Sequence, residues 1–310
     1  MPWDFKRVAV VGSGAIGLYY GGRLAKAGFE VNFLARSGFE LLEKSGLVAR
    51  SIAGDFHLPQ VSVSKTTREI GAVDLVIVAL KSTSNPELAG LLPPLVDEHT
   101  VILTLQNGLG NCEHIASIVR PDRICGGLCF VCINRLGPNQ ISHTAGGRLT
   151  VGDFVSGMPE RTATIVRHLN SAGIPANQVS NLARAQWEKL VWNIPFNGLA
   201  VAEGGLTTDK LLANPETERE IRTLMAEVIS IARAEGHELD SGLIRSNIDR
   251  TYPMGAYRPS TMIDLIEGRE IELNAIWLEP LRRAKEIGID TPALERLILR
   301  IRSQLRERPV

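Results

Sequence analysis

No stretch of this chain approaches the roughly 18 consecutive apolar residues that mark a membrane-spanning helix, so none is expected. Neither sign of charge is in excess: Lys+Arg and Asp+Glu are both 34, giving a formal net charge of zero. That excludes a global field drawing the protein to nucleic acid or anionic lipid, although local basic pockets survive such cancellation. The opening MPWDFKRVAVVGSGAIG has too short an apolar run for a secretory signal and enters a glycine loop where a small-residue cleavage site would stand. A cytoplasmic location is therefore expected. Cysteine is scarce, with Cys112, Cys125, Cys129 and Cys132 only. Cys129 and Cys132 form a CxxC, but no second Cys or His pair stands at zinc spacing, so no metal is expected. The apolar run around the last three reads as a strand with inert core thiols. There is no low-complexity linker and no internal repeat. What is present is 44% hydrophobic residues in 310, enough to bury the cores of two ordinary domains.

The N-terminal half alternates strands and helices. Apolar strands are expected at Arg7–Val11, Glu30–Leu34, Asp74–Leu80 and Thr100–Leu105, with a helix over Ala15–Ala27 that stops at Gly28. Strands without polar alternation, separated by helices, predict a parallel sheet covered on both faces. The segments Ile124–Asn134, Gln140–Thr144 and Arg148–Gly152 read as further strands extending it. From about Asn181 the pattern turns helical, over Leu182–Ala200, Pro215–Ala234, Thr261–Gly288 and Pro292–Leu305. Asn214-Pro215 and Thr291-Pro292 read as starts, Gly236 and Gly288 as stops. The expected fold is α/β: a Rossmann-type dinucleotide-binding domain over 1–180, then an all-α domain over 181–310.

Gly12-Ser13-Gly14-Ala15-Ile16-Gly17 is a GxGxxG directly after a strand and opening a helix, the context in which that pattern carries meaning. Gly12 permits the tight turn, Gly14 lets the backbone approach a pyrophosphate, and Gly17 allows close packing of helix on strand. The helix N-terminus offers free N–H groups and partial positive charge to phosphates. The second strand ends without the carboxylate that bonds the ribose hydroxyls of NAD. Arg36 stands there and suits a 2′-phosphate by charge and geometry, so NADP is the expected cofactor.

Reducing a ketone by hydride further requires a proton donor and groups that hold the substrate. Lys81 follows the strand Asp74–Leu80, and Asn107 follows the next one in a Gln-Asn-Gly-Leu-Gly turn. Both stand at carboxyl ends of strands, where open α/β sheets bind ligands. Lys189, Asn193 and Asn197 fall at i, i+4 and i+8, a polar stripe on one face of an otherwise apolar helix. By periodicity alone, that stripe faces either solvent or a site between the domains. Pro195 inside it is expected to bend the helix.

Together these residues carry a resemblance to the ketopantoate reductase family over essentially the whole chain. It rests on GSGAIG at Gly12–Gly17, on Arg36, Lys81 and the turn with Asn107, and on the Lys189–Asn193–Asn197 spacing. Ser260 and Glu272, twelve residues apart in PSTMIDLIEGREIEL, complete it. The resemblance implies NADPH-dependent reduction of 2-dehydropantoate, with Lys189 protonating the alkoxide. It implies that Glu272 bonds the substrate hydroxyl and that Asn193, Asn197 and Ser260 hold carboxylate and hydroxyl oxygens. Lys81 and Asn107 are implied between cofactor and substrate. The pattern departs from the family at Pro195, which precedes Asn197 by two, and at Thr207, where the family has asparagine. A related 2-oxoacid or hydroxyacid thus stands as the alternative substrate, and an NADP-holding sensor without turnover as the alternative outside enzymes. The apolar helical half is consistent with a closed core and with a homodimer.

Overall fold

The computed structural model describes residues 5–155 and 158–306. Backbone contacts divide them into two compact units. The first runs to Gln106 and resumes over Asn111–Leu182; the second joins Asn107–Gly110 to everything from Ala183 onward.

The first unit holds one ten-stranded sheet. Its strands are β1 (Arg7–Val11), β2 (Glu30–Leu34), β3 (Leu47–Ser51), β4 (Phe56–Leu58), β5 (Ser62–Ser64), β6 (Leu75–Val78), β7 (Val101–Thr104), β8 (Ile124–Gly137), β9 (Gln140–Asp153) and β10 (Ala176–Gln178). The order is β4-β3-β9-β8-β7-β6-β1-β2-β5, with β10 beside β9. The strands from β5 through β2, β1 and β6 to β7 are all parallel. Strands β6 and β7 are buried at every position, which is why they read as unbroken apolar runs. Asp74, just before β6, aligns the start of β1: its carboxylate accepts from Lys6 N at 2.9 Å and Arg7 N at 2.6 Å. Helices α1 (Ala15–Lys26), α2 (Phe39–Ser45), α3 (Thr67–Ile70), α4 (Leu88–Leu91), α5 (Asn111–Ala116) and α6 (Pro159–Ser171) complete this unit.

Two strand readings change. Gln140–Thr144 and Arg148–Gly152 are one strand, β9, antiparallel to β8. The glycines between them form a bulge: Gly146 and Gly147 take φ of +70° and +115°, and the register shifts between Phe130 and Val131. Along β8 the full burial ends after Leu128. Cys112 and Cys125 are therefore core thiols, whereas Cys129 and Cys132 are only partly buried. Burial pushes the Cys125 thiol up to about 12, so it stays protonated at neutral pH.

The second unit is helical: α7 (Leu182–Ala202, entered from the first unit), α8 (Thr208–Ala213), α9 (Pro215–Ala234), α10 (Gly242–Thr251), α11 (Ser260–Ile266), α12 (Glu279–Glu286) and α13 (Pro292–Arg306). Its core includes Trp187 and Trp277, both fully buried. Asn214 caps α9 by accepting from Glu216 N at 2.9 Å. At α13 the first free amides, Ala293 N and Leu294 N, are instead taken by the Glu227 carboxylate from α9, each at 2.8 Å.

The single helix expected over Thr261–Gly288 is broken. Gly268, at φ +68°, ends α11 with its own N–H bonded to Leu265 O and Arg269 N bonded to Asp264 O. Helix resumes at Leu273 with a π-helical turn over Asn274–Leu278, which leads into α12. No helix among the described residues is long and apolar enough to cross a membrane.

Candidate active site

In the first unit, β1 lies between β2 and β6, so the chain leaves it in opposite directions on its two sides. That is the switch point where open α/β sheets place ligands. Gly12 adopts φ +113°, and a Cβ there would stand 2.6 Å from Leu80 N. The loop thus passes too close to the chain after β6 for any side chain. A Cβ on Gly17 would lie 2.0 Å from Gly12 O, so that glycine lets α1 close onto the loop. Gly14 differs: nothing lies within 4 Å of the Cβ it lacks. It occupies the cap position of α1 with extended backbone, no side-chain cap and no acidic residue in the first turn. The helix-end amides are left for an anion, and the open space at Gly14 fits a pyrophosphate against the backbone. Ser13 is buried, and Ala15 and Ile16 are half-buried.

Arg36 follows β2 and is held by Glu87 at 2.6 Å, the two side chains being 67% and 39% exposed. Lys81 is half-buried and opens the 3₁₀ turn Ser82–Glu87 that carries Glu87. A polar network that the sequence did not suggest fixes this turn. Gln106 Nε2 donates to Asn85 Oδ1 at 2.7 Å, and Asn85 Nδ2 donates to Asn111 Oδ1 at 2.9 Å. Thr104 Oγ1 donates to Gln106 Oε1 at 2.9 Å, and the His114 ring lies 2.8 Å from Asn85 O. The only sequence signal was Gln106 beside Asn107 in the turn after β7.

In the second unit, the stripe on α7 is not a solvated face: Asn193 and Asn197 are buried and Lys189 is half-buried. The helix continues through Pro195 to Ala202. Lys189 Nζ donates to Asn107 Oδ1 at 2.8 Å. The Asn107–Gly110 turn, although it follows a strand of the sheet, packs with the helices. Asn197 Oδ1 accepts from Thr261 N at 3.3 Å, setting α7 against the start of α11. Ser260 is the exposed first residue of α11; the cap position belongs to Pro259. Glu272 is buried, 8% exposed, just before the π-helical turn. Arg269 does not serve it, because that guanidinium pairs with Asp264 and Glu267. Thr207 gives its hydroxyl to Asp209. Among the described residues no group of three or more His, Cys, Asp or Glu could hold a metal ion.

A glycine loop at the switch point of a parallel sheet, with a helical unit presenting a half-buried lysine, defines a dinucleotide-dependent oxidoreductase of Rossmann type. Residues 8–156 match the family described as ketopantoate reductase PanE/ApbA, and residues 181–304 match its C-terminal domain. A 2-dehydropantoate 2-reductase of Nostoc sp. is 40% identical over 294 residues, 93% of this chain and 92% of that one. The crystal structure of 2-dehydropantoate 2-reductase from Geobacter metallireducens superposes with a TM-score of 0.93 at 41% identity, covering 96% of this chain and 99% of the other. That of the enzyme from Methylococcus capsulatus gives 0.90 at 31%, covering 98% and 99%. This chain belongs to the ketopantoate reductase family.

Proposed function

We propose that this protein reduces 2-dehydropantoate to pantoate with NADPH. The observation that carries the reading is Lys189: a half-buried ammonium on an apolar helix, oriented by Asn107 at 2.8 Å. Gly12, Ser13, Gly14, Ala15, Ile16 and Gly17 would hold the pyrophosphate, Arg36 the 2′-phosphate, and Lys81 and Asn107 the nicotinamide end. The bound NADPH supplies the hydride that reduces the C2 carbonyl.

Lys189 then delivers a proton to the C2 oxygen as negative charge develops there. A partly desolvated ammonium suits this step, since it both donates and stabilises the oxyanion electrostatically. Asn107 orients the ammonium of Lys189 through the hydrogen bond at 2.8 Å. Glu272 accepts from the substrate's hydroxyl, and Asn193, Asn197 and Ser260 orient its carboxylate and hydroxyl oxygens. Of these, Asn197 already has its amide oxygen on Thr261 N, so its contribution to substrate comes through the amide NH₂.

The test is the fall in NADPH absorbance with 2-dehydropantoate, beside a Lys189→Ala variant. Loss of a general acid lowers kcat by about 10²–10⁴-fold. A decrease under tenfold would remove Lys189 from the role. A second substrate reading is favoured by Thr207, whose hydroxyl is engaged with Asp209 where the family carries an asparagine. A panel of other 2-oxoacids separates the two: the higher kcat/KM identifies the substrate.

A further inference from the structure

The contact between Asn107 and Lys189 depends on where the Asn107–Gly110 turn is tethered. Leu109 N donates to Ala275 O at 2.9 Å, within the π-helical turn. That carbonyl is open to an outside donor for a reason written in the chain. In an α-helix it would receive the N–H of residue 279, and in a π-helix that of residue 280. Glu279 N goes to Asn274 O, the π pattern. Residue 280 is proline and has no N–H. Ala275 O thus has no helical donor, and a buried carbonyl needs a partner. Leu109 provides it.

The approach is close enough to constrain the turn. Gly108 takes φ +84°, and a Cβ there would lie 2.3 Å from Ala275 O. On its other side the π-helical turn is pinned to α7: Trp277 Nε1 donates to Ile194 O at 3.0 Å. Gly198 admits this contact, because a Cβ on it would stand 2.8 Å from Trp277 Nε1. One short segment therefore grips both the turn that carries Asn107 and the helix that carries Lys189.

We propose that Pro280 is a positioning residue of the reductase site: by withholding an N–H it reserves Ala275 O for Leu109, and so sets Asn107 against Lys189. The catalytic consequence rests on the reduction proposed above; the tether does not. In Pro280→Ala the restored N–H competes with Leu109 for Ala275 O.

The experiment pairs amide hydrogen exchange of the full-length protein with steady-state kinetics. In Pro280→Ala, exchange at Leu109 is expected to speed up about tenfold or more, as the tether opens. The kcat with NADPH and 2-dehydropantoate should fall about tenfold, with KM for NADPH changed less than about twofold. In an Asn107→Ala background the same substitution should change kcat less than about twofold, because its effect passes through Asn107. Unchanged protection at Leu109 would overturn the proposal. So would a kcat loss that simply adds to that of Asn107→Ala, the signature of a general structural defect. If the wild type itself fails to turn over 2-dehydropantoate, the substrate reading fails, and exchange at Leu109 still decides the tether.

Discussion

If Arg36 holds the 2′-phosphate as proposed, its pair with Glu87 bears directly on cofactor choice. Arg36, proposed above to hold the 2′-phosphate, already has its guanidinium held by a carboxylate at 2.6 Å. With side chains 67% and 39% exposed, the pair sits close to water. Such pairs contribute about 0–1 kcal/mol, so either substitution should leave the melting temperature nearly unchanged. A 2′-phosphate offers Arg36 more charge and a bidentate match. Charge-assisted hydrogen bonds are worth about 1.5–3 kcal/mol, and exposure argues for the low end. Arg36→Ala should therefore raise the Kd for NADPH about tenfold and leave NADH within about twofold. Glu87→Gln removes the competing anion, so it should tighten NADPH about two- to fivefold, the range expected from an exposed pair. Titration of reduced-cofactor fluorescence at roughly 0.1 M salt reads both variants, and raising the salt should shrink both effects. An unchanged NADPH-to-NADH ratio in Arg36→Ala would refute the reasoning. Weaker NADPH binding in Glu87→Gln would show that Glu87 supports the site and does not oppose the phosphate.

Two further outcomes follow from the first unit. Arg161 is fully buried and pairs with Asp153, so Asp153→Ala takes its carboxylate partner from a guanidinium held in the core. The expected loss is about 3–5 kcal/mol, seen as a melting temperature lower by roughly 10 °C; a shift under about 3 °C would mean that the ion pair is dispensable. His143 is buried and accepts a hydrogen bond at Nδ1 from Ser51, while its Nε2 lies against the carbonyls of Ala145 and Gly146. Burial holds its pKa below the usual 6.5; those carbonyls act the other way, and Arg23 adds to the lowering. The unfolded chain therefore takes up the proton first as pH falls. The stabilisation is complete above about pH 6.5 and is lost below it. The melting temperature should fall between pH 7 and 5.5, and His143→Gln, although less stable at pH 7.5, should flatten that slope. Equal slopes in the two proteins would exclude His143 as the cause.

Several elements were readable along the chain because their causes are local. Strands β1, β2, β6 and β7 show as short apolar runs between breakers, since both faces of a parallel sheet are covered. The glycine loop is legible because Gly12 and Gly17 meet backbone atoms only a few residues away or just across the sheet. Helix α9 is legible from its proline start, its Asn214 cap and its 3.6-residue period. The candidate residues of α7 shared a face by spacing alone. Spacing could not tell whether that face was wet, because burial depends on what packs against it.

The remainder belongs to tertiary structure. No local signal places Asn107 with the helices when it follows a strand, and none pairs Arg36 with Glu87, fifty-one residues on. Glu227 replaces the cap expected at α13 from another helix altogether. The helix read over Thr261–Gly288 breaks at Gly268, and the chain restarts in a π-helical turn with Glu272 buried just before it. Sequence by itself determined the parallel strands β1, β2, β6 and β7, helices α1, α7, α9 and α13, the place of the glycine loop and which residues are chemically able to act. Only the tertiary structure decided which of those residues meet, because a contact such as Lys189 with Asn107 depends on hydrogen bonds between segments distant in the chain, and these exist only once both are packed.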